Sequence, residues 1–177
     1  DIMSYKPLLP QYKVIVFDEA HKLYDVAKQM YGCYLAEGEF TELIKYITES
    51  KADSLKELSD SIENDYPKLF NRISGADKDT ANPNERREAN IDVFAISCMK
   101  SIADTLERIT DSVFFCSEIK LFVRKRRIRN MCESIKNKLQ VFLEPDNLVC
   151  WCEYNNNIWS LCSIPKDLSK RIYTNLW

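Results

Sequence analysis

Between residues 38 and 143 apolar side chains recur every three or four positions with few interruptions. That period is the mark of helices that each bury one stripe. Phe40, Leu43, Ile44 and Ile47 make the first stripe, with Thr41 near its start. Leu55, Leu58, Ile62, Tyr66, Leu69, Phe70 and Ile73 make the second. Pro67 falls inside the second, which predicts a break or kink there. Gly75 and the polar run ADKDTANPNE then read as a long loop. A third helix is expected from about Glu85 to Ile109, with Ile91, Phe94, Ala95, Cys98, Ile102 and Leu106 inward. A fourth is expected from about Asp111 to Phe142, with Phe115, Ile119, Phe122, Met131, Ile135, Leu139 and Phe142 inward. Four such helices in series predict a bundle or an elongated pair of hairpins.

Both flanks change period. KVIVF at 13–17 is a β-branched apolar run, as in a strand buried on both faces. A helix follows from Lys22 to Tyr31, with Leu23, Val26, Ala27 and Met30 at helical spacing. Past Pro145, LVCWCEY at 148–154 and IWSLCSI at 158–164 are strand-like, joined by Asn155, Asn156 and Asn157 as a hairpin. Pro165 ends the second strand, and Asp167 or Ser169 is placed to cap a last helix toward Trp177. The expected fold is mainly α, with a four-helix insertion and a small β element. Residues distant in sequence share one sheet, and the helical lobe loops out between them.

Of the 177 residues, 45% are apolar and 29% charged, a globular balance. No apolar run approaches the roughly 20 residues that span a bilayer. No leader opens the chain, and it begins at Asp1 rather than Met, as an excised piece would. A net charge of −2 confines any nucleic-acid contact to a local patch. Three glycines leave few loops able to bring bare backbone to a phosphate. Seven cysteines, an odd number with no extracellular cue, predict reduced thiols and a cytoplasmic setting. Cys150 and Cys152 share one strand face, but no CxxC pair exists and His21 is the only histidine. Buried thiols acting as small hydrophobes are the expectation, rather than a metal site.

The chemistry-bearing run is DEAH at 18–21, directly behind VIVF. Open α/β folds place their ligands where strands end. A carboxylate there, Asp18, can hold Mg²⁺ between the β- and γ-phosphates of a nucleotide. Glu19 can orient and polarise the attacking water. His21 is placed to relay the state of the γ-phosphate. The plainer alternative is a polar turn in which Asp18 caps the following helix.

LPQYKVIVFDEAHKLYDVA at 9–27 resembles motif II of superfamily 2 DNA helicases of the DinG/XPD type. In that family a long helical insertion, the arch, follows motif II, and the chain then re-enters the motor domain. LVCWCEY and LCSIPKDLSKRI are similar to the re-entry segment in order and spacing. The resemblance implies a motor segment at 1–35, an arch at 36–145 and a return at 146–177. It implies ATP and Mg²⁺ as cofactors of the full-length protein, with Asp18 and Glu19 in the roles above. It also implies single-stranded DNA passing under the arch, with 5′-to-3′ polarity. Relatives that carry an iron–sulfur cluster hold it upstream of the DEAH box, so none of the seven cysteines is assigned to one. The chain contains no GxxxxGK[ST] loop, so this piece is expected to be inactive alone. RNA helicases also carry DEAH boxes, but the long insertion directly behind this one argues against them.

A second candidate site is the basic run Lys120, Arg124, Lys125, Arg126, Arg127 and Arg129. Such density suits phosphate contacts. Phe122 beside it is either a stacking platform or, from its place on the stripe, core. The alternative is a solvated face paired with acids such as Glu107, Asp111 or Glu118. Trp151, Tyr154 and Trp159 are expected to pack in the core. Besides the helicase reading, a non-catalytic helical module that binds DNA or a protein partner fits the same residues.

Overall fold

A computed structural model describes residues 19–75, 81–82 and 84–176. The expected strand at 13–17, Asp18, and residues 76–80 and 83 of the expected loop lie outside them. The described chain is mainly helical with one four-stranded antiparallel sheet. After a 3-10 turn at Ala20–Lys22 come α1 (Leu23–Tyr31), β1 (Cys33–Ala36), α2 (Glu37–Glu49) and α3 (Lys56–Ser74). Then follow β2 (Glu85–Glu88), α4 (Val93–Ser112), α5 (Phe122–Phe142), β3 (Leu148–Asn155), β4 (Ile158–Pro165) and α6 (Leu168–Leu176).

Helices α2 to α5 form an up-down-up-down bundle. Each neighbouring pair runs antiparallel, as the cross-contacts require. Phe40 stacks on Tyr66 and meets Phe70 edge-on. Cys98 Sγ points at the Asp65 carbonyl, and Lys136 pairs with Glu107. Lys138 reaches Glu39 and Arg127 reaches Glu42, which closes α5 back onto α2. The inward stripes are the expected ones at Phe40, Leu43 and Ile47, at Ile62, Leu69, Phe70 and Ile73, and at Ile135, Leu139 and Phe142, all nearly inaccessible.

Pro67 does not break its helix; α3 continues from Lys56 to Ser74. Proline removes one i→i−4 bond, but buried side chains on both sides, Ile62 before it and Leu69 and Phe70 after it, hold the helix on the core. The helix stops at Gly75, whose φ of 63° is the left-handed C-terminal conformation that glycine adopts without cost.

Residues 85–88, expected to begin the third helix, are instead strand β2. β3 would otherwise be a sheet edge, and β2 pairs with it from Glu85↔Tyr154 to Glu88↔Trp151. Helix propensity in ERRE yields to those backbone bonds. α4 starts at Val93, and Asp92 caps it by accepting the Ala95 N–H at 2.9 Å.

The expected fourth helix from Asp111 is also corrected: α5 starts at Phe122. The chain must reverse between two antiparallel helices, and residues 113–121 make that turn. Val113, Cys116 and Ile119 plug the end of the bundle. Glu118 accepts from Ser54 Oγ at 3.1 Å and from Cys116 Sγ at 2.8 Å, which ties the turn to the segment before α3.

The sheet order is β1-β4-β3-β2. β3 and β4 are the expected hairpin, closed by Asn156 and Asn157 at φ 52° and 62°. Two left-handed residues in a two-residue turn match the twist of the strands, and asparagine tolerates them. β1, which no sequence signal indicated, pairs with β4 from Cys33↔Ser163 to Ala36↔Ser160. Residues 130 positions apart thereby share a sheet, through β1; the strand expected at 13–17 lies outside the described residues. Leu35, Cys152, Tyr154, Trp159 and Leu161 point from the sheet into the same hydrophobic cluster as the bundle helices. Glu37, 2% exposed, fastens α2 to β4 by accepting the Trp159 N–H at 3.0 Å. Trp151, also expected in the core, is only half-buried on the opposite face.

The order of helix ends places the sheet at one end of the bundle. There lie the start of α2, the end of α3, the start of α4 and the end of α5. The 113–121 turn lies at the other end, roughly 30 Å away, the length of a 21-residue helix. α1 packs on β4 and α6, so the Glu19–Lys22 turn that leads into it belongs to the sheet end. Gly32 allows this: a Cβ there would stand 2.4 Å from the Lys28 carbonyl oxygen and 3.0 Å from that of Ser163.

Candidate functional site

Of the DEAH run, Asp18 lies outside the described residues, while Glu19, Ala20 and His21 form the turn into α1. Glu19 takes a left-handed φ of 56°. A non-glycine residue there stores some backbone energy, a condition that clusters at functional sites. Its carbonyl accepts the Lys22 N–H at 2.8 Å. Its carboxylate faces His21 Nε2 at 3.1 Å and Lys22 Nζ at 3.6 Å, and all three side chains are more than half exposed. The turn therefore presents a carboxylate and an imidazole together to solvent.

The six cations of the basic run separate into two sets. Arg127 pairs with Glu42 at 3.2 Å and lies 4.7 Å over the Tyr46 ring. Arg129 pairs with Glu133 at 2.7 Å and lies 5.6 Å over the Phe114 ring. Lys125 donates to the Phe114 carbonyl at 2.8 Å. These three hold the helix to its neighbours. Lys120, Arg124 and Arg126 are exposed and make no ion pair among the described residues. Of the acids expected to neutralise the run, Glu107 takes Lys136 at 3.4 Å, and Glu118 is engaged chiefly by Cys116 and Ser54, with Lys125 acting on it through its charge. Engagement by Cys116 first, then by backbone and Ser54, holds the Glu118 carboxyl below its ordinary range.

Phe115 and Phe122, expected inward, face out: Phe115 is 89% exposed and Phe122 64%. Leu121 and Val123 beside them are exposed too. The misreading has a visible cause. Successive helical residues diverge by about 100°, so Phe114–Phe115 and Leu121–Phe122–Val123 cannot all face one core. Phe114 takes the inner place and meets Phe122 at 5.7 Å between ring centres. Phe94, also expected inward, is exposed under the Arg72 guanidinium. On α1, Ala27 is buried while Val26 and Met30 stand in solvent.

Two concavities flank these groups. One of about 410 Å³ lies between α2 and α5, with Val123, Arg126, Asn130, Met131 and Ser134 on its α5 wall. Another of about 620 Å³ lies on the outer sheet face against α1, where Lys28 stands 5.8 Å over the Trp151 ring.

All seven cysteines are free thiols. Burial is the chief cause that pushes Cys132, Cys152 and Cys162 to about 12 and Cys150 to about 11. Such thiols pack as small apolar groups and are poor nucleophiles. Among the described residues, no cluster of three or more His, Cys, Asp or Glu side chains is placed to hold a metal ion. Among them also, no helix is long and apolar enough to cross a membrane. The chain matches no family model, and no curated protein matches it.

Proposed function

We propose that this chain is part of an ATP-driven DNA helicase of the DinG/XPD type. It would supply the motif II carboxylates and a helical arch that holds single-stranded DNA. The alternative of a non-catalytic module that binds DNA or a protein partner uses the same basic surface and leaves the carboxylates idle. The observation that carries the helicase reading is the DEAH run itself: its Glu19 and His21 sit together on an exposed, left-handed turn rather than in a buried network.

In this reading Asp18 would hold a Mg²⁺ ion bound with the nucleotide, and such an ion would supply positive charge for phosphoryl transfer. Glu19 fits the water-orienting role, because its carboxylate is exposed and has an imidazole within 3.1 Å that can pass on a proton. The phosphate-cradling loop and the second motor domain lie in the remainder of such a protein. The cations Lys120, Arg124 and Arg126 lie at the far end of the bundle, where an arch meets DNA without touching the nucleotide.

The test is Glu19→Gln in the longer parent protein. DNA-stimulated ATP hydrolysis should fall by about two orders of magnitude or more, the range of a lost general base. Nucleotide binding should persist. Full DNA-stimulated hydrolysis in that variant would sink the catalytic assignment.

A further inference from the structure

At the end of the bundle away from the sheet, apolar and cationic side chains share one surface. Phe115, Leu121, Phe122 and Val123 are exposed there. Four exposed large apolar side chains within nine residues of sequence, 115–123, are a candidate interaction site. Lys120, Arg124 and Arg126 are interleaved with them in sequence and carry no ion pair among the described residues. Phe122 is braced from behind by the Phe114 ring at 5.7 Å. Phe114 is itself held by Lys125 on its carbonyl and by Arg129 over its ring. The outward rings thus stand on a backed, ordered turn, tied down through Glu118 to Ser54.

We infer that Phe115 and Phe122 form a base-stacking platform for single-stranded nucleic acid, with Lys120, Arg124 and Arg126 contacting the phosphates on either side. This rests on the DNA-holding reading above and assigns its contact residues. Two chemistries meet here that single-stranded DNA also combines: flat π-faces that every base can cover, and exposed cations that can meet its phosphates. Duplex DNA offers the phosphates but hides its base faces. An acidic amphipathic helix needs a concave apolar seat, and the two rings do not supply one. The adjoining α2–α5 groove is lined by Val123, Arg126 and Met131, with Phe115 and Phe122 outside it.

Fluorescence anisotropy on the whole 177-residue chain separates the possibilities. The probes are a labelled oligo(dT) of about 16 nucleotides and an abasic strand of equal length and charge. Oligo(dT) should bind about tenfold more tightly than the abasic strand. Phe122→Ala or Phe115→Ala should erase most of that difference without weakening the abasic complex, and Phe122→Trp should restore it. Neutralising Lys120, Arg124 and Arg126 together should weaken both complexes and flatten their salt dependence. Both rings are exposed, so an unchanged thermal melt confirms that these variants fold. Equal affinity for the two strands, unmoved by the phenylalanine changes, overturns the platform and leaves DNA holding intact. Absence of binding to either strand at low salt overturns both.

Discussion

The two ends of the bundle are built from similar residue types and do opposite things. At the sheet end, Leu35, Leu139, Phe142, Trp159 and Leu161 are at 0% exposure. At the far end, Leu121, Phe122 and Val123 belong to or adjoin the first turn of the same α5, and all three stand more than 60% exposed. The difference is what lies opposite. β4 and β1 close the first end, while the 113–121 turn and the short α2–α3 connection at 50–55 close the second. The turn's own apolar residues, Val113, Cys116 and Ile119, use up the inward positions. Apolar content alone does not identify core. The partner surface does.

The sharpest way to break this contrast is to truncate one residue from each end. Leu139→Ala should cost about 2–5 kcal/mol, since the fully buried site cannot refill the cavity. Val123→Ala should stay within about 0.5 kcal/mol. Urea denaturation midpoints would compare them, and equal losses would show that the α5 start is packed after all. The next effect is polar. Glu37→Ala removes the acceptor for the Trp159 N–H in a buried setting, which should cost about 1–3 kcal/mol. Glu37→Gln retains an acceptor and should lose less. If the two variants unfold at the same midpoint, the bond is not what fastens α2 to β4.

A smaller effect appears in acid, also at the sheet end. The Arg72 hydrogen bond is the main cause that holds the Asp92 carboxyl below its ordinary value, and the N–H groups at the start of α4 add to it. A depressed carboxylate contributes stability above its unfolded value of about 4, and that contribution is lost as pH falls through the lower folded value. Asp92→Asn should therefore narrow the stability gap to wild type as pH drops from about 5 toward 2. A gap constant over that range would remove Asp92 from the account. Smallest in energy is the thiol pattern. Cys152 and Cys162, pushed up to about 12, should resist iodoacetamide at pH 8 in the folded chain and react once urea unfolds it. Rapid native-state labelling would mean that the sheet end opens far more readily than its packing suggests.

Much of this fold is legible before any coordinates. The hairpin is announced by alternating strands around three asparagines, because its turn is local and needs left-handed residues. The inward stripes of α2, α3 and the second half of α5 are read directly, because one periodic signal suffices for a helix packed on one side. The readings that fail depend on distant partners. β1 and β2 are four residues each and exist because β4 and β3 offer them hydrogen bonds across the sheet. Pro67 stays in a helix because the core holds both flanks. Of the candidate sites, the DEAH run was visible in four letters, and the structure adds the left-handed Glu19 and its contact with His21.

The sequence alone determined a mainly helical chain with a small β element, the hairpin and its turn, and a candidate carboxylate pair. Local conformational preference and side-chain period decide those matters within a few residues. Only the tertiary structure decided where α5 begins, which two of the six cations are ion-paired among the described residues, and that Phe115 and Phe122 face water. Those outcomes depend on which surface arrives opposite each side chain, and that surface comes from parts of the chain 60 to 130 residues away, as Ser54 and Glu118 show at one end and Cys33 and Ser163 at the other.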